Sequence, residues 1–380
     1  MHPPLTRFLT AALLAAASLT AGAQRLLTQI PLPSIGSPTE SLEGAIAIDV
    51  AVDSATNRIY VPVLLDLATS TSFQVLVIDG ATNQVVHKLT GFPVATNPFY
   101  GSIAIDSVRN FIYVDTFGLN NTCLVSVIDG RTEKIVKTIE PPYRVCGKMA
   151  VDPITGKVYI NQGDALNVIE SEASGIVDSY NLPFYISNNS EMIISPYVHR
   201  LYFGSNSSQN SELLNFYDTN DNQVTESFTI DPAMDALIYV SPVVNWNTGH
   251  LFGSTSNSYS AYSLTVFNSQ GALLANIDLP GSAGENLIGG IAVDPKTNRA
   301  FVSVFTYAVD GVPNPEAGLY VIDGKTNTIL SNSTVTYPPS LDDYFDQGGV
   351  VGVNPDTSKV YLAYYDPTNG KAYLNVYSEQ

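Results

Sequence analysis

Val52-Asp53-Ser54-Ala55-Thr56-Asn57-Arg58-Ile59-Tyr60-Val61 returns far along the chain as Val293-Asp294-Pro295-Lys296-Thr297-Asn298-Arg299-Ala300-Phe301-Val302. The segment after the first copy returns as well, because residues 75–83 closely match residues 319–327. A unit of about 50 residues that holds several short strands is typical of a propeller or a similar repeat array. The repeat therefore decides the fold class before any functional motif is considered.

A tight turn with the pattern Asp/Asn-Pro-x-Thr-Asn/Gly-basic aligns seven copies of this unit. An Asp or Asn side chain at the first position accepts hydrogen bonds from the backbone of its own turn, and Pro at the second fixes φ. Asn or Gly at the fifth position tolerates the left-handed conformation, for which His199 and Ser358 are weaker choices. The seven turns are Asp53 to Arg58, Asp106 to Phe111, Asp152 to Lys157, Ser195 to Arg200, Asn245 to His250, Asp294 to Arg299 and Asn354 to Lys359.

Four strands accompany each turn. An apolar strand precedes it, a β-branched and aromatic strand follows it, and a third strand ends in Asp at Asp79, Asp129, Asp218 and Asp323. The fourth strand alternates apolar and polar residues, as in residues 134–139. We expect the inner strands to be apolar on both faces, because each blade packs between two others, and the fourth strand to lie on the rim. Four strands in seven units predict an all-β, seven-bladed β-propeller with four-stranded antiparallel blades.

The last unit ends at residues 377–380 without a fourth strand, whereas residues 25–30 resemble a fourth strand that has no unit of its own. Pairing residues 25–30 with residues 372–377 would close the ring and remove an exposed sheet edge. We therefore predict that the N-terminal strand completes the last blade, and that residues 24–380 form a single domain.

The first 23 residues are predicted to be a cleaved signal peptide. Arg7 precedes an apolar run from Phe8 to Leu19 that is too short for a membrane anchor, and Ala21-Gly22-Ala23 suits a signal peptidase. Cleavage near Ala23/Gln24 would make the protein periplasmic or secreted, with no later apolar stretch for membrane insertion. Without Arg7, the charge of −18 becomes −19 (16 basic against 35 acidic residues), and it repels phosphate backbones, so we expect no nucleic-acid partner. We expect a monomer.

Cys123 and Cys146 are the only cysteines. An oxidising compartment favours a disulfide between them, which would join the second blade to the third. Two unpaired buried thiols are the alternative.

The turn pattern, followed by Val-x-Val-Ile-Asp-Gly-x-Thr, resembles the YVTN-repeat propellers, which include YncE-like periplasmic proteins. The resemblance covers nearly all of residues 25–377, and the shared residues lie at turn and core positions, as in other WD40-like repeats. It implies a binding or scaffold module and transfers no catalytic residue. The fourth and fifth units depart most from the pattern, because Ser195 and Asn245 replace the turn Asp.

Catalytic and cofactor motifs are scarce. His199 and His250 lie at turns and His87 on a rim strand, so a metal or haem site built from histidines is disfavoured. No nucleophile elbow, phosphate-binding loop or haem-attachment motif is present. We expect no cofactor and no metal. Trp246, the only Trp, lies in a turn and is interpreted as turn packing.

A ligand site is expected at the mouth of the central channel, where the innermost strands begin. The positions four residues before each turn acid are Asp49, Ser102, Lys148, Glu191, Ser241, Gly290 and Val350. Of these, Asp49, Lys148 and Glu191 would project near the pore. Long aromatic connections gather at the same end, and they include Arg144, the pair Phe184-Tyr185, Tyr344 and Asp346. Tyrosines beside acids suit sugar or peptide recognition, whereas a solvated funnel and simple loop packing are the alternatives.

Two functions compete, and a third, an electron-transfer partner, would need a cofactor. The regular blades and the missing catalytic motifs favour an extracytoplasmic binding or scaffold module with a carbohydrate, peptide or protein ligand. The alternative is a lactonase-like hydrolase in which Glu191 and Asp346 act on a small sugar-derived ester at the channel mouth. Such an enzyme would need convergent acid, His and Arg residues, and the mouth offers only Arg144 and no His.

Overall fold

The computed structural model describes residues 24–33, 45–47, 49–67, 70–93, 102–117, 122–142, 147–170, 175–183, 185–186, 192–206, 212–229, 242–257, 261–279, 286–306, 318–334, 349–366 and 371–379. In these residues all regular structure is β-strand, and the strands form seven antiparallel blades, as predicted. No helix in the described ranges has the length and apolar character needed to cross a bilayer.

Each blade runs outward from its innermost strand. Blade 1 contains β2 (Ala45–Ala47), β3 (Ala51–Asp53), β4 (Arg58–Leu67), β5 (Ser70–Asp79) and β6 (Gln84–Leu89). Blade 2 contains β7 (Ile103–Asp106), β8 (Phe111–Phe117), β9 (Cys123–Asp129) and β10 (Lys134–Ile139). Blade 3 contains β11 (Met149–Val151), β12 (Lys157–Asn161), β13 (Ala165–Glu170) and β14 (Ile176–Asn181). Blade 4 contains β15 (Met192–Ser195), β16 (Arg200–Asn206), β17 (Glu212–Asp218) and β18 (Gln223–Thr229).

The remaining blades follow the same order. Blade 5 contains β19 (Val243–Val244), β20 (Leu251–Asn257), β21 (Ala261–Phe267) and β22 (Leu273–Asp278). Blade 6 contains β23 (Asn286–Asp294), β24 (Arg299–Thr306), β25 (Gly318–Asp323) and β26 (Thr328–Thr334). Blade 7 contains β27 (Val350–Asn354), β28 (Lys359–Asp366), β29 (Lys371–Ser378) and the N-terminal β1 (Arg25–Pro31). Among the described residues, the backbones of blades 5 and 6 also pair in parallel at Ala261 and Asn286.

The N-terminal strand closes the ring. β1 pairs antiparallel with β29, from Arg25 opposite Ser378 to Pro31 opposite Tyr373. The pairing continues past the strand, because the Leu32 N–H donates to the Ala372 carbonyl over 2.9 Å. Ile30 and Leu32 are buried in a cluster that also holds residues of blades 7 and 1. The predicted closure is confirmed.

The predicted turns are also confirmed, and they define one end of the ring, called here the turn face. In blade 1, Asp53 accepts hydrogen bonds from the Ala55 N–H (3.1 Å) and the Thr56 hydroxyl (2.6 Å). The fifth position is left-handed in all seven turns, at Asn57, Asn110, Gly156, His199, Gly249, Asn298 and Ser358. The two residues with weaker preference, His199 and Ser358, therefore adopt the same backbone as the Asn and Gly positions.

Packing between blades supplies the core. Tyr60 and Val75 of blade 1 share a buried cluster with Ile112 and Val114 of blade 2, and similar clusters lie around the ring. Burial of apolar area between sheets is the main stabilising contribution. The blades thus fix the position of the strand ends opposite the turns, an end called here the loop face.

Candidate functional site

The structure brings two of the predicted mouth residues together. Asp49 lies just before β3 of blade 1, and Lys148 lies just before β11 of blade 3. The Lys148 Nζ and the Asp49 Oδ2 are 3.7 Å apart, and the two side chains are 17% and 20% exposed. The Asp49 Oδ1 also accepts the Val50 N–H over 2.8 Å, which holds the carboxylate in place. The ion pair therefore spans the loop face from the first blade to the third.

A third charged residue, Asp115 on β8 of blade 2, lies next to this pair and is 1% exposed. It accepts a hydrogen bond from the Ser102 N–H, and its own N–H donates to the Ser102 carbonyl over 3.2 Å. Burial raises the pKa of Asp115 to about 7; Asp49 adds to the rise, whereas the Ser102 N–H and Lys148 oppose it. A carboxyl group whose pKa is close to neutral pH thus lies beside the Lys148 ammonium and the Asp49 carboxylate.

Local packing holds blades 2 and 3 together at this point. The Ser102 hydroxyl donates to the Gly147 carbonyl over 3.5 Å. A Cβ at position 147 would lie 2.5 Å from the Asn161 carbonyl oxygen, so glycine is required for the close approach that places Lys148. We call Asp49, Ser102, Asp115 and Lys148 the mouth cluster.

Sequence reasoning missed Asp115, because we expected the inner strands to be apolar on both faces. That expectation is wrong at the position nine residues after each turn acid, where the described polar members are buried. The seven residues at this position are Pro62, Asp115, Asn161, Gly204, Ser254, Ser303 and Ala363. Aligning the second strands by their turns would have marked Asp115 as the only ionisable residue of this ring.

Amide side chains extend the polar surface along blade 3. Asn161, Gln162 and Asn167 are buried, and the Asn167 amide donates to the Gln162 side-chain oxygen. The Asn161 Oδ1 accepts the Gly163 N–H over 2.9 Å, and the Asn161 N–H donates to the Lys148 carbonyl over 3.1 Å. The mouth cluster is therefore continuous with a rigid polar turn of blade 3.

Several predicted site residues lie outside the described residues, namely Glu191, Arg144, Tyr344, Asp346 and Cys146. Cys123, at the start of β9, is buried and disulfide-bonded. The pairing with Cys146 stays a prediction.

Three histidines and Trp246 lie at the turns and on the rim strand to which the sequence assigned them. His199 and His250 lie at turns of blades 4 and 5, and His87 on β6 pairs with Glu133 of blade 2. Trp246 lies in its predicted turn but is 41% exposed, so packing accounts for only part of its surface. Within the described ranges, no group of three or more His, Cys, Asp or Glu residues is placed to hold a metal ion.

Comparison with known proteins supports the fold and no narrower family. No family model matches the chain, and no curated protein matches it by sequence. The β-propeller domain of Myceliophteria thermophila Cps50 (Swd1) is similar in structure, with a TM-score of 0.61, 10% identity, and coverage of 93% of this chain and 99% of the domain. Kuenenia stuttgartiensis hydrazine synthase gives a TM-score of 0.60 at 15% identity, covering 86% of this chain and 94% of that one. At these identities the likeness establishes a β-propeller architecture alone.

Proposed function

We propose that the chain is an extracytoplasmic binding or scaffold module of the YVTN-like propeller type, whose ligand binds at the mouth cluster. The Lys148–Asp49 ion pair beside buried Asp115 carries this proposal. It places a cation and two carboxyl groups where the innermost strands of three consecutive blades begin. Channel mouths of closed β-structures are common ligand sites, and a few convergent polar groups fix a small ligand there.

The charge balance of the cluster favours a polar ligand that both donates and accepts hydrogen bonds. Lys148 supplies donors, and Asp49 supplies acceptors within 3.7 Å of them. The ammonium group already neutralises Asp49, which disfavours a bound divalent cation at the same carboxylate. The buried turn acids are used differently, because Asp53, Asp106 and Asp152 accept backbone N–H groups of their own turns.

The extracytoplasmic part of the proposal rests on the N-terminal sequence and on β1. Cleavage after Ala23 would leave Gln24, whose carbonyl accepts the Ser333 hydroxyl of blade 6 over 3.1 Å. The mature chain would then retain the whole closing strand.

A panel of oligosaccharides, peptides and lactones tests the binding proposal on the mature protein. We expect at least one oligosaccharide or peptide to raise the melting temperature, since ligand at 100 times Kd stabilises by about 2.7 kcal/mol. Lys148→Met should abolish the shift, whereas Lys134→Met, on the exposed strand β10, should retain it. If no compound in the panel raises the melting temperature, the proposal is contradicted.

The hydrolase alternative is separated in the same panel. If the wild type hydrolyses a lactone and Glu191→Ala or Lys148→Met abolishes that activity, the result supports the hydrolase and contradicts the binding module. We expect stabilisation without turnover.

A further inference from the structure

An exposed tyrosine forms a flat platform on the loop face of blade 3. Tyr185 is 53% exposed, although its ring packs closely on Gly163. Gly163 has a φ of +82°, and a Cβ there would lie 2.7 Å from the Tyr185 Cε2. The backbone of Gly163 therefore supports the ring, and no larger residue would let the ring lie in this place.

Backbone hydrogen bonds hold the chain on either side of Tyr185 in position. The Ile186 N–H donates to the Gly163 carbonyl over 2.8 Å, and the Ile186 side chain is fully buried. The Leu182 N–H donates to the Asp164 carbonyl over 2.8 Å on the other side of the same turn. A backbone held by hydrogen bonds near Tyr185 reduces the conformational freedom that is lost when a ligand stacks on the ring.

Two hydrogen bonds connect the platform to the mouth cluster. The Gly163 N–H donates to the Asn161 Oδ1, and the Asn161 N–H donates to the Lys148 carbonyl. The Tyr185 ring and the Lys148 ammonium thus lie at the same end of blade 3. The Asp49 carboxylate lies across the mouth from them, on blade 1. Blade 3 thus presents the aromatic ring and the lysine donor, and blade 1 supplies the carboxylate acceptor.

We infer that this platform and the mouth cluster bind a pyranose sugar. The inference rests on the proposed function and names its ligand class. A half-exposed aromatic ring such as that of Tyr185 can stack on the apolar C–H face of a sugar ring. Sugar hydroxyls both donate and accept, so neighbouring hydroxyls match the Lys148 and Asp49 side chains. A peptide that bound by strand addition would pair with the edge strand β14, whereas Tyr185 follows that strand and offers a ring for stacking.

Titration calorimetry with cellotetraose, maltotetraose, chitotetraose and tetragalacturonic acid tests the inference. At least one of them should bind the wild type, Tyr185→Ala should weaken it at least tenfold, and Tyr185→Phe should bind within about threefold of wild type. Tyr197→Ala is the matched control, because Tyr197 is an exposed tyrosine on the turn face. Gly163→Ala should displace the ring and weaken binding with an unchanged circular dichroism spectrum.

The two proposals fail in different ways. Sugar binding that is lost in Lys148→Met but unchanged in Tyr185→Ala would overturn the stacking inference and leave the mouth site standing. Absence of binding by all four tetrasaccharides would overturn the sugar inference, and a peptide that then stabilises the protein through Lys148 would keep the proposed function.

Discussion

Glu379 provides a direct test of the contact between blades 6 and 7. It follows β29, is 9% exposed, and lies against the turn of blade 6, where its Oε1 accepts the Thr297 hydroxyl over 3.3 Å. Its other oxygen and the Asp294 Oδ2 are buried without a further partner in the described structure. Burial, then a hydrogen bond with Asp294 and the charge of Asp294, raise the pKa of Glu379 to about 8, while Thr297 and Arg299 oppose the rise.

The predicted consequence is a loss of stability as pH rises. The unfolded chain ionises Glu379 above its ordinary pKa of 4.5, whereas the folded protein keeps the proton until about 8. The free energy of unfolding should therefore fall between these two pH values and stay level above them. A difference of 3.5 units at 1.36 kcal/mol each gives a fall of up to about 5 kcal/mol.

The Glu379→Gln variant isolates this contribution. Glutamine cannot ionise and still donates from its amide to Asp294, so the variant should match the wild type near pH 4.5 and exceed it by several kcal/mol at pH 8. Urea unfolding followed by circular dichroism at pH 4.5, 6 and 8 measures the difference. Asp356→Asn is the control, because Asp356 is an exposed acid on the same face, paired with Lys296. A variant with the wild-type pH slope, or one less stable at pH 8, would refute the reasoning.

Four further outcomes are expected. Asp115→Asn should remove the share that Asp115 contributes to the loss of stability as pH rises from about 4 to 7, worth up to about 4 kcal/mol in urea unfolding, because burial raises the pKa of this acid to about 7. Ser358→Gly should stabilise by up to about 1 kcal/mol, since glycine adopts the left-handed backbone without strain, whereas Ser358→Asn should destabilise by about 1–3 kcal/mol. Alkylation of unreduced protein unfolded in urea should add no mass, and the Cys123→Ala/Cys146→Ala variant should lose about 3 kcal/mol of unfolding free energy. Mass spectrometry of secreted protein should give a chain that begins at Gln24.

The Ser358 expectation comes from a contact between turns that recurs around the ring. A Cβ at Gly80, Gly130 or Gly324 would lie 2.1, 2.0 or 2.6 Å from the side-chain oxygen of Asn57, Asn110 or Asn298. Glu379 holds the equivalent place in blade 7, because its N–H donates to the Ser358 carbonyl as the Gly80 N–H donates to the Asn57 carbonyl. A small residue at position 358 therefore leaves room for the Glu379 side chain.

The fold could be predicted because its signals are local and repeated. Turn acids such as Asp53 reach only their own backbone, and the strand pattern is read seven times, so single deviations such as His199 do not obscure it. The last unit lacks a fourth strand, and residues 25–30 resemble a fourth strand without a unit. The two observations together predict that residues 25–30 complete blade 7. Repetition thus made a long-range pairing, Arg25 with Ser378, predictable from local patterns.

The site was less predictable because it depends on contacts between blades. The alignment placed Asp49 and Lys148 at the mouth, but the 3.7 Å pair requires side chains from blades 1 and 3 to meet across blade 2. Asp115 was not predicted because an acid in a buried strand departs from the repeat pattern. Its burial is stabilised by the Ser102 N–H and the nearby charge of Lys148, which the pattern does not show. The support of Tyr185 by Gly163 joins residues that no periodic pattern relates.

The pairing of the N-terminal strand with blade 7 closes the ring in which Asp49, Asp115 and Lys148 of blades 1, 2 and 3 meet. Hydrogen exchange of the mature protein measures this closure directly at the amides of β1 and β29. The hydrogen-bonded amides of residues 25–31 should be protected and should exchange in step with those of residues 371–378. Exchange of residues 25–31 at the rate of an unstructured peptide, with β29 still protected, would contradict it.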